Sequence, residues 1–520
     1  MSAISGMNSS LVHGKYLISA PSSAEVRVIE DGAVYQSDGR IVDVGNYGLL
    51  RAKYPDVPVI GSHGDVVMPG LVNAHHHVGL TPFQLGSPDL PLELWRISRL
   101  GARAVDPYLD TLYSAFELVS SGVTTVQHIE TRTKGHYGGS TAFVDEVLRA
   151  YSDIGMRVSF GFALREQSLL VYGDDSSFVD GLPSLLRQSA GEVLAGQCMP
   201  LRDQLEVFFT GLRGKWDGER VRVQLAPGNY HWLSDSGLEE VARLAEATRV
   251  PVHIHLLETP YQKVYAEKRS GGGVVRRLKE LGALGPTWTL GHAVWVSEAD
   301  IDQIARSGAA VCHNSSSNWR LRSGRTPLTE LLDKGVRVAV GIDEAGINDD
   351  RDMLQELRVV LATSGNPGLS QAVVQPEQVF AMATRVGAAT TGFGESTGSL
   401  EVGKSADMVL VDWSQIALPF LEQGVPVVEA VLWRGRAKHV RCVMVNGEVI
   451  YQEGSFVRVD RAEVEGKIAA SLATERSEEE LDRERVATEM LPYVREYYSR
   501  WLADDAAGSR QGNVVRGNLR

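Results

Sequence analysis

The sequence predicts an α/β protein built on a (β/α)8 TIM barrel, with a small β-sandwich domain formed from the N- and C-terminal segments. Two observations carry this. Between residues 66 and 345, eight apolar runs of strand length alternate with amphipathic stretches, as in a parallel sheet wrapped by helices. Outside that region, short strand-like runs punctuated by turn signals occur at both ends of the chain, and two β-rich flanks around one barrel suggest a single small β-domain built from both.

At the N-terminal end, strand patterns cover 15–17, 24–30, 33–36, 41–44 and 66–68, with Asp31-Gly32 and Asp38-Gly39 as turns. The barrel runs are 66–72, 123–129, 157–164, 221–226, 250–257, 288–290, 309–312 and 336–342. Helical periodicity between them is plain at 238–248 and 298–307. The gaps after the first and third strands, about fifty residues each, are expected to carry extra helices and lid loops over one barrel mouth. A helical stretch at 377–389 is followed by strand patterns at 407–412, 428–433, 438–445 and 448–451. A charged helix with i,i+4 acid–base pairs is expected from 462 to about 501, then a polar, disordered tail of sixteen residues. The division expected is 1–68 and 398–460 for the two halves of the β-domain, 69–397 for the barrel, and 461–520 for helix and tail.

Composition narrows the function. The chain of 520 residues is 43% hydrophobic and 22% charged, as in a globular enzyme. Its 52 Lys and Arg against 65 Asp and Glu give a net charge of −13, which argues against general binding to nucleic acid or an anionic membrane. Three cysteines, Cys198, Cys312 and Cys442, cannot build a disulfide framework and suit a reducing compartment. The start of the chain has no secretory pattern, and no stretch approaches the roughly 20 apolar residues of a membrane span. A cytoplasmic setting is expected.

Several of the 13 histidines fall at the downstream ends of the expected barrel strands: His75, His76 and His77, then His128, His253 with His255, His292 and His313, with Asp343 ending the eighth. Strand ends of a barrel converge on one cavity, so imidazoles and a carboxylate would meet there, the donor set of a divalent metal with N/O preference. His75-x-His77 places two side chains on one face of an extended segment, with His76 pointing away. His253 and His255 both face inward if their strand ends near residue 256, with His255 nearer the mouth. Glu258 then sits just above, where it could move a proton to or from a metal-bound water. His292 is either a ligand or the group that holds the attacking water. Asp343 can bind the metal and accept that water's proton.

The fourth strand has no lysine that could bridge two metals, so one metal is the simpler reading. Other nucleophiles are poorly placed: there is no Gly-x-Ser-x-Gly elbow, and Cys312 reads as a buried thiol. No phosphate-binding loop or dinucleotide fingerprint stands in a suitable context.

In order along the chain come Pro69-Gly70-Leu71-Val72-Asn73-Ala74-His75-His76-His77, Ser121-Gly122-Val123-Thr124-Thr125, His255-x-x-Glu258, Gly291-His292, His313-Asn314-x-x-Ser317-Asn318 and Gly341-Ile342-Asp343. With Gly398-x-Leu400-x-x-Gly403-Lys404-x-Ala406-Asp407 and Val445-Asn446-Gly447, this series resembles the amidohydrolase superfamily from about residue 25 to 455. The branch it looks most like holds the N-heterocycle aminohydrolases and chlorohydrolases. The resemblance implies that His75, His77, His255 and Asp343 bind one divalent ion per subunit, zinc first and iron second. It implies a proton shuttle at Glu258, a hydroxide-orienting role for His292 and a base role for Asp343. It also implies a small-molecule substrate, a deaminase-type displacement of an amino or halide group, and a homo-oligomer, dimer or higher.

Departures from the branch lie where it contacts substrate: Ser315 in place of a frequent proline, Glu344 in place of a small residue, and the aromatic segment 227–232. An atypical substrate is therefore expected, with Phe83, Gln84, Trp95, Asn229, His231, Trp232, Asn318 and Trp319 as pocket candidates. Two alternatives remain: hydrolysis of an amide, urea or (thio)carbamate bond on the same metal, and a metal-free scaffold.

Overall fold

The chain is seen in a computed structural model that describes residues 8–19, 26–77, 79–132, 142–197, 199–365, 368–369 and 373–502. Cys198, the first two residues of the expected strand 24–30 and the expected polar tail lie outside them.

Four strands open the chain, β1 (Ser9–Ile18), β2 (Val28–Ser37), β3 (Arg40–Asn46) and β4 (Val59–Pro69). Asp38 and Gly39, at φ 50° and 77°, make the left-handed turn joining β2 to β3. The other expected turn, Asp31-Gly32, is not one. Asp31 takes φ 46° inside β2, while the pairings Gly14↔Gly32 and Tyr16↔Glu30 keep the ladder in register on either side. His13 Nε2 at 2.9 Å and the Asn46 amide hold Asp31 there.

The barrel follows as β5 (Leu71–His76), β6 (Val123–Glu130), β7 (Arg157–Leu164), β8 (Val221–Val223) with β9 (Ala226–Pro227), then β10 (Val252–Leu256), β11 (Trp288–His292), β12 (Ala310–His313) and β13 (Arg337–Val340). β5 to β8 pair in parallel, as do β10 to β13. Two seams join the halves: Leu225 and Asn229 bridge to Val252 and His255, and His76 bridges to Asp343, whose N–H donates to His75 O at 2.9 Å. The strand expected over 66–72 is in fact two. The chain leaves β4 at Pro69, which has no N–H to continue a ladder, and turns into the barrel at Gly70. A Cβ on Gly70 would lie 2.1 Å from Thr124 Oγ1, so only glycine lets the two layers approach there.

After the barrel, β14 (Met408–Asp412), β15 (Val440–Val445), β16 (Glu448–Gln452) and β17 (Ser455–Phe456) join the first four strands in one sheet, ordered β17-β16-β15-β14-β4-β1-β2-β3. The β-domain is thus a single coiled sheet enclosing its own core, which includes Val12, Val34, Val67, Met408 and Met444. Barrel and β-domain are tied by Arg157 at the start of β7, whose guanidinium donates to both oxygens of buried Asp407 at 2.7 and 3.0 Å.

Two helical readings change. The expected strand 428–433 is the helix Val427–Arg434, whose buried Val428, Val431 and Leu432 fall at helical spacing after Pro426. The single charged helix is two, Arg461–Leu472 and Glu478–Tyr498, separated by a capping box in which Ser477 and Glu480 satisfy each other's backbone N–H. Both long connections carry helices, among them Leu92–Ser98 and Pro107–Ser120 after β5 and Ser184–Gln197 after β7. The helix Glu478–Tyr498 buries Met490, Val494 and Tyr498 against Leu94 and Ile97 of the first connection and Val171 and Tyr172 of the second. Among the described residues, no helix is long and apolar enough to cross a membrane.

Candidate metal centre and active site

Because the barrel strands run parallel, their C-terminal ends share one rim, and residues at or just beyond those ends face one another. The ends of β5, β10, β11 and β13 deliver His75 and His77, His255, His292 and Asp343 to that rim, all buried. His77 Nδ1 donates to Ile129 O and His255 Nδ1 donates to Gly228 O, each at 2.6 Å. These bonds leave the two Nε2 atoms, 3.4 Å apart, as lone pairs aimed at one place. His75 Nδ1 is engaged by His253 Nε2 at 2.8 Å, and its own Nε2 is buried with no hydrogen-bond partner among the described residues. Asp343 Oδ1 lies 3.2 Å from His77 Nε2 and 3.5 Å from His75 Nε2.

Ligand atoms of His75, His77 and Asp343 lie within 4.8 Å of one another, as do those of His75, His255 and His292. The four expected ligands therefore meet through His75 and through the His77–His255 contact. Such a cluster of buried lone pairs and one carboxylate fits a divalent cation of N/O preference. Burial pushes His75 and His255 well below the usual imidazole range, so they stay neutral, as ligation requires. His77 differs: against burial, the Asp343 carboxylate and then Glu344 raise it to about 9. The space between His77 and Asp343 thus attracts positive charge, and a proton and a metal compete for it.

Around the cluster sit the groups for proton transfer. Glu258 Oε2 is 3.9 Å from His292 Nε2, which is 3.7 Å from Asp343 Oδ2. Burial raises the Glu258 carboxyl from 4.5 to about 7, opposed by His292 and reinforced by Asp343 and Glu93. Asn318 Oδ1 accepts from His292 Nδ1 at 3.0 Å, and the Ser317 hydroxyl donates to Asp343 Oδ2 at 2.6 Å. His292 and Asp343 both take φ 67°, a left-handed conformation that side chains seldom adopt and that here aims both into the centre. His76 turns the other way, its Nδ1 3.2 Å from the Asp343 backbone oxygen.

One cavity opens above the cluster, walled by Trp95, Asn229, His231 and Trp232 as expected. Three pocket candidates are elsewhere. Phe83, Gln84 and Trp319 are exposed, Gln84 donating to Tyr113 OH and Trp319 lying at the solvent end of the short helix Ser315–Arg320, whose first four residues are buried. Asn318 serves His292 and does not line the cavity. Sequence reasoning passed over Glu93, Arg96, Arg165 and Tyr172. Arg165 follows the last residue of β7, so the strand-end rule could have found it; the others sit in long connections where periodicity carries no signal. Glu93 is buried and accepts from Thr259 Oγ1 at 2.6 Å and Tyr172 OH at 3.0 Å.

An eight-stranded parallel barrel with imidazoles and carboxylates gathered at one rim defines the class of barrel hydrolases. The chain belongs to the amidohydrolase family, whose model matches residues 66–450. It is thus a hydrolase. It is 28% identical to the 5-methylthioadenosine/S-adenosylhomocysteine deaminase of Thermodesulfovibrio yellowstonii over 462 residues, covering 87% of this chain and 96% of that one. A 5'-deoxyadenosine deaminase of Methanosarcina mazei is 28% identical over 441 residues, covering 84% and 91%. Among solved structures, an adenosine deaminase from Xanthomonas campestris with bound zinc superposes with a TM-score of 0.71 at 26% identity, covering 91% of this chain and 98% of that one. An atrazine chlorohydrolase from Arthrobacter aurescens complexed with zinc superposes at 0.73 and 22% identity, covering 88% and 99%, a likeness of fold alone.

Proposed function

We propose that the protein is a metal-dependent aminohydrolase that uses water to displace the exocyclic amino group of an N-heterocycle, releasing ammonia and leaving a ring carbonyl. His75, His77, His255 and Asp343 would hold one divalent ion, zinc before iron. A bound divalent ion lowers the pKa of its water from about 15.7 toward about 7, making hydroxide available at neutral pH. Asp343, beside that site, would take up the proton of the attacking water. Glu258, poised near neutrality, delivers a proton to the ring nitrogen and so readies the amino group to leave. His292, fixed by Asn318, orients the attacking oxygen. Trp95 and Trp232 wall the cavity beside the ring, each indole already covered by guanidinium, Arg99 on Trp95 and Arg96 with Arg165 on Trp232.

The observation that supports this reading most is the pair of Nε2 lone pairs of His77 and His255, fixed by backbone carbonyls and facing each other beside Asp343. The curated relatives, named as adenosine-type deaminases, favour ring deamination over cleavage of an amide, urea or (thio)carbamate. The same reading makes the protein a cytoplasmic homo-oligomer acting on small molecules, with the chain divided at 68/69, 397/398 and 460/461.

Metal analysis of the purified protein, with ammonia release from a panel of ring amines and amine release from aryl ureas, tests the proposal. Stoichiometric metal and ammonia release are expected. Urea cleavage without ammonia release would support the C–N alternative, and a folded protein without metal would support a scaffold.

A further inference from the structure

The cavity above the metal centre is lined by five arginines, Arg96, Arg99, Arg103, Arg132 and Arg165. Three have carboxylate partners. Arg99 pairs with Glu344, Arg103 faces Glu480 at 3.6 Å, and Arg132 pairs with Glu130 at 2.7 Å and Asp110 at 2.9 Å. Arg165 and Arg96 have none among the described residues. The Arg165 guanidinium, on a residue only 9% exposed, donates to the Thr131 and Ala163 carbonyls, and its Nη1 has no partner among the described residues. Arg96 donates to Leu169 O at 3.0 Å and stands 3.5 Å from His231 Nε2. Both guanidiniums lie over the Trp232 ring, at 4.8 and 4.9 Å from its centroid.

Two like charges held together on one indole, one of them buried, are an unfavourable arrangement unless an anion joins them. Burial and the neighbouring Arg96 lower Arg165 to about 10, which still leaves it charged at neutral pH. His231 beside them is driven well below the imidazole range by burial and by Arg96 and Arg269, so it adds no charge of its own. Arg96, Arg165, His231 and Trp232 line the same cavity as His255, Glu258 and Asp343, so one ligand can meet both the arginines and the centre.

We infer that Arg96 and Arg165 form an oxyanion subsite, and that the substrate is a ring amine carrying a carboxylate or phosphate on the portion remote from its amino group. Planar guanidiniums match both anions bidentately, and charge-assisted bonds are about twice as strong as neutral ones. The inference rests on the aminohydrolase reading for the ring amine, but the anion subsite is separately testable. The departures from the family at 227–232 then have a physical sense, since this segment supplies the indole on which both arginines rest.

The test uses the metal-loaded Glu258→Gln protein, in which binding is read without turnover. Its affinities for adenosine-5′-carboxylate, the neutral adenosine-5′-carboxamide and adenosine 5′-monophosphate are measured by calorimetry. The acid is expected to bind at least about tenfold more tightly than the amide. That preference should fall toward parity when Arg165→Met or Arg96→Met is added, and be partly restored by Arg165→Lys. The tighter of carboxylate and phosphate identifies the anion. No preference for an acid over the amide, including binding of neither, would overturn the subsite, as would a preference unchanged in both arginine variants. Acid preference in a wild-type protein that releases no ammonia would instead sink the aminohydrolase reading and leave the subsite standing.

Discussion

Glu258→Gln separates chemistry from coordination. The substitution keeps size and removes the proton carrier while touching no expected ligand. Turnover should fall by about 10²–10⁴ with metal content intact, the range for loss of a positioned acid or base. The structure adds a second, independent consequence. Because burial holds the Glu258 carboxyl at about 7 in the folded chain against 4.5 when solvated, the folded state binds more protons than the unfolded one between those values. Stability of the metal-free protein therefore falls as pH rises from 4.5 to 7. At 1.36 kcal/mol per pH unit the accumulated loss is about 3 kcal/mol, a large share of the usual 5–15 kcal/mol. Glutamine cannot ionise, so the variant should gain close to that amount relative to wild type at pH 8 and almost nothing at pH 4.5. Urea unfolding of the chelator-treated pair at both pH values measures the difference. Equal differences at the two values would refute the burial argument, and metal loss in the variant would refute the assignment of Glu258 as a non-ligand.

Three further outcomes follow from particular contacts. His253→Asn, which removes the partner of His75 Nδ1, should weaken metal affinity by about 10–100-fold, and His255→Asn by more; competition against a chelating dye gives the order, and the reverse order means that His253 is the ligand. Arg157→Ala leaves Asp407 buried and unpaired, so urea unfolding should show a loss of about 3–5 kcal/mol; a loss below about 1 kcal/mol would mean that solvent reaches the carboxylate. Tyr498→Phe removes the acceptor of the Tyr172 N–H, 2.8 Å away, and should lower stability by about 1 kcal/mol without changing metal affinity. A drop in metal content in that variant would show the C-terminal helix reaching the centre itself.

The barrel and its histidines were legible because both depend on local rules: apolar runs of strand length, and polar residues where those runs stop. The helix over 298–307 was legible for the same reason, Ser297 and Asp300 forming its capping box. What misled was apolarity without period. Val428-Val-Glu-Ala-Val-Leu reads as strand by composition, yet its buried side chains follow a helical face set by packing. The run 66–72 is continuous in hydropathy, and only the close approach at Gly70 to Thr124 reveals that two sheets share it. In the pocket, aromatic residues in long connections gave no direction. Trp95 faces the cavity and Trp319 faces solvent because of the helices that carry them.

The metal cluster and the pocket are therefore built by different means. Ligands hang from strand ends whose relative positions are fixed by barrel hydrogen bonds, and backbone carbonyls at 129 and 228 set their tautomers. Of the pocket walls, Asn229, His231 and Trp232 follow the fourth strand, whereas Trp95 and Arg96 hang from the insertion after β5, one of two long insertions outside the barrel strands. The helix Glu478–Tyr498, beyond the segment matched by the family, restrains these insertions: it packs on both at once and accepts the Tyr172 N–H. Tyr172 donates to Glu93, which accepts from Thr259, the residue next to Glu258. A chain of contacts thus runs from an extension outside the family segment to the residue expected to move the proton. Specificity can change in such an arrangement through the insertions and their strut, while the ligands at the strand ends stay where the barrel puts them.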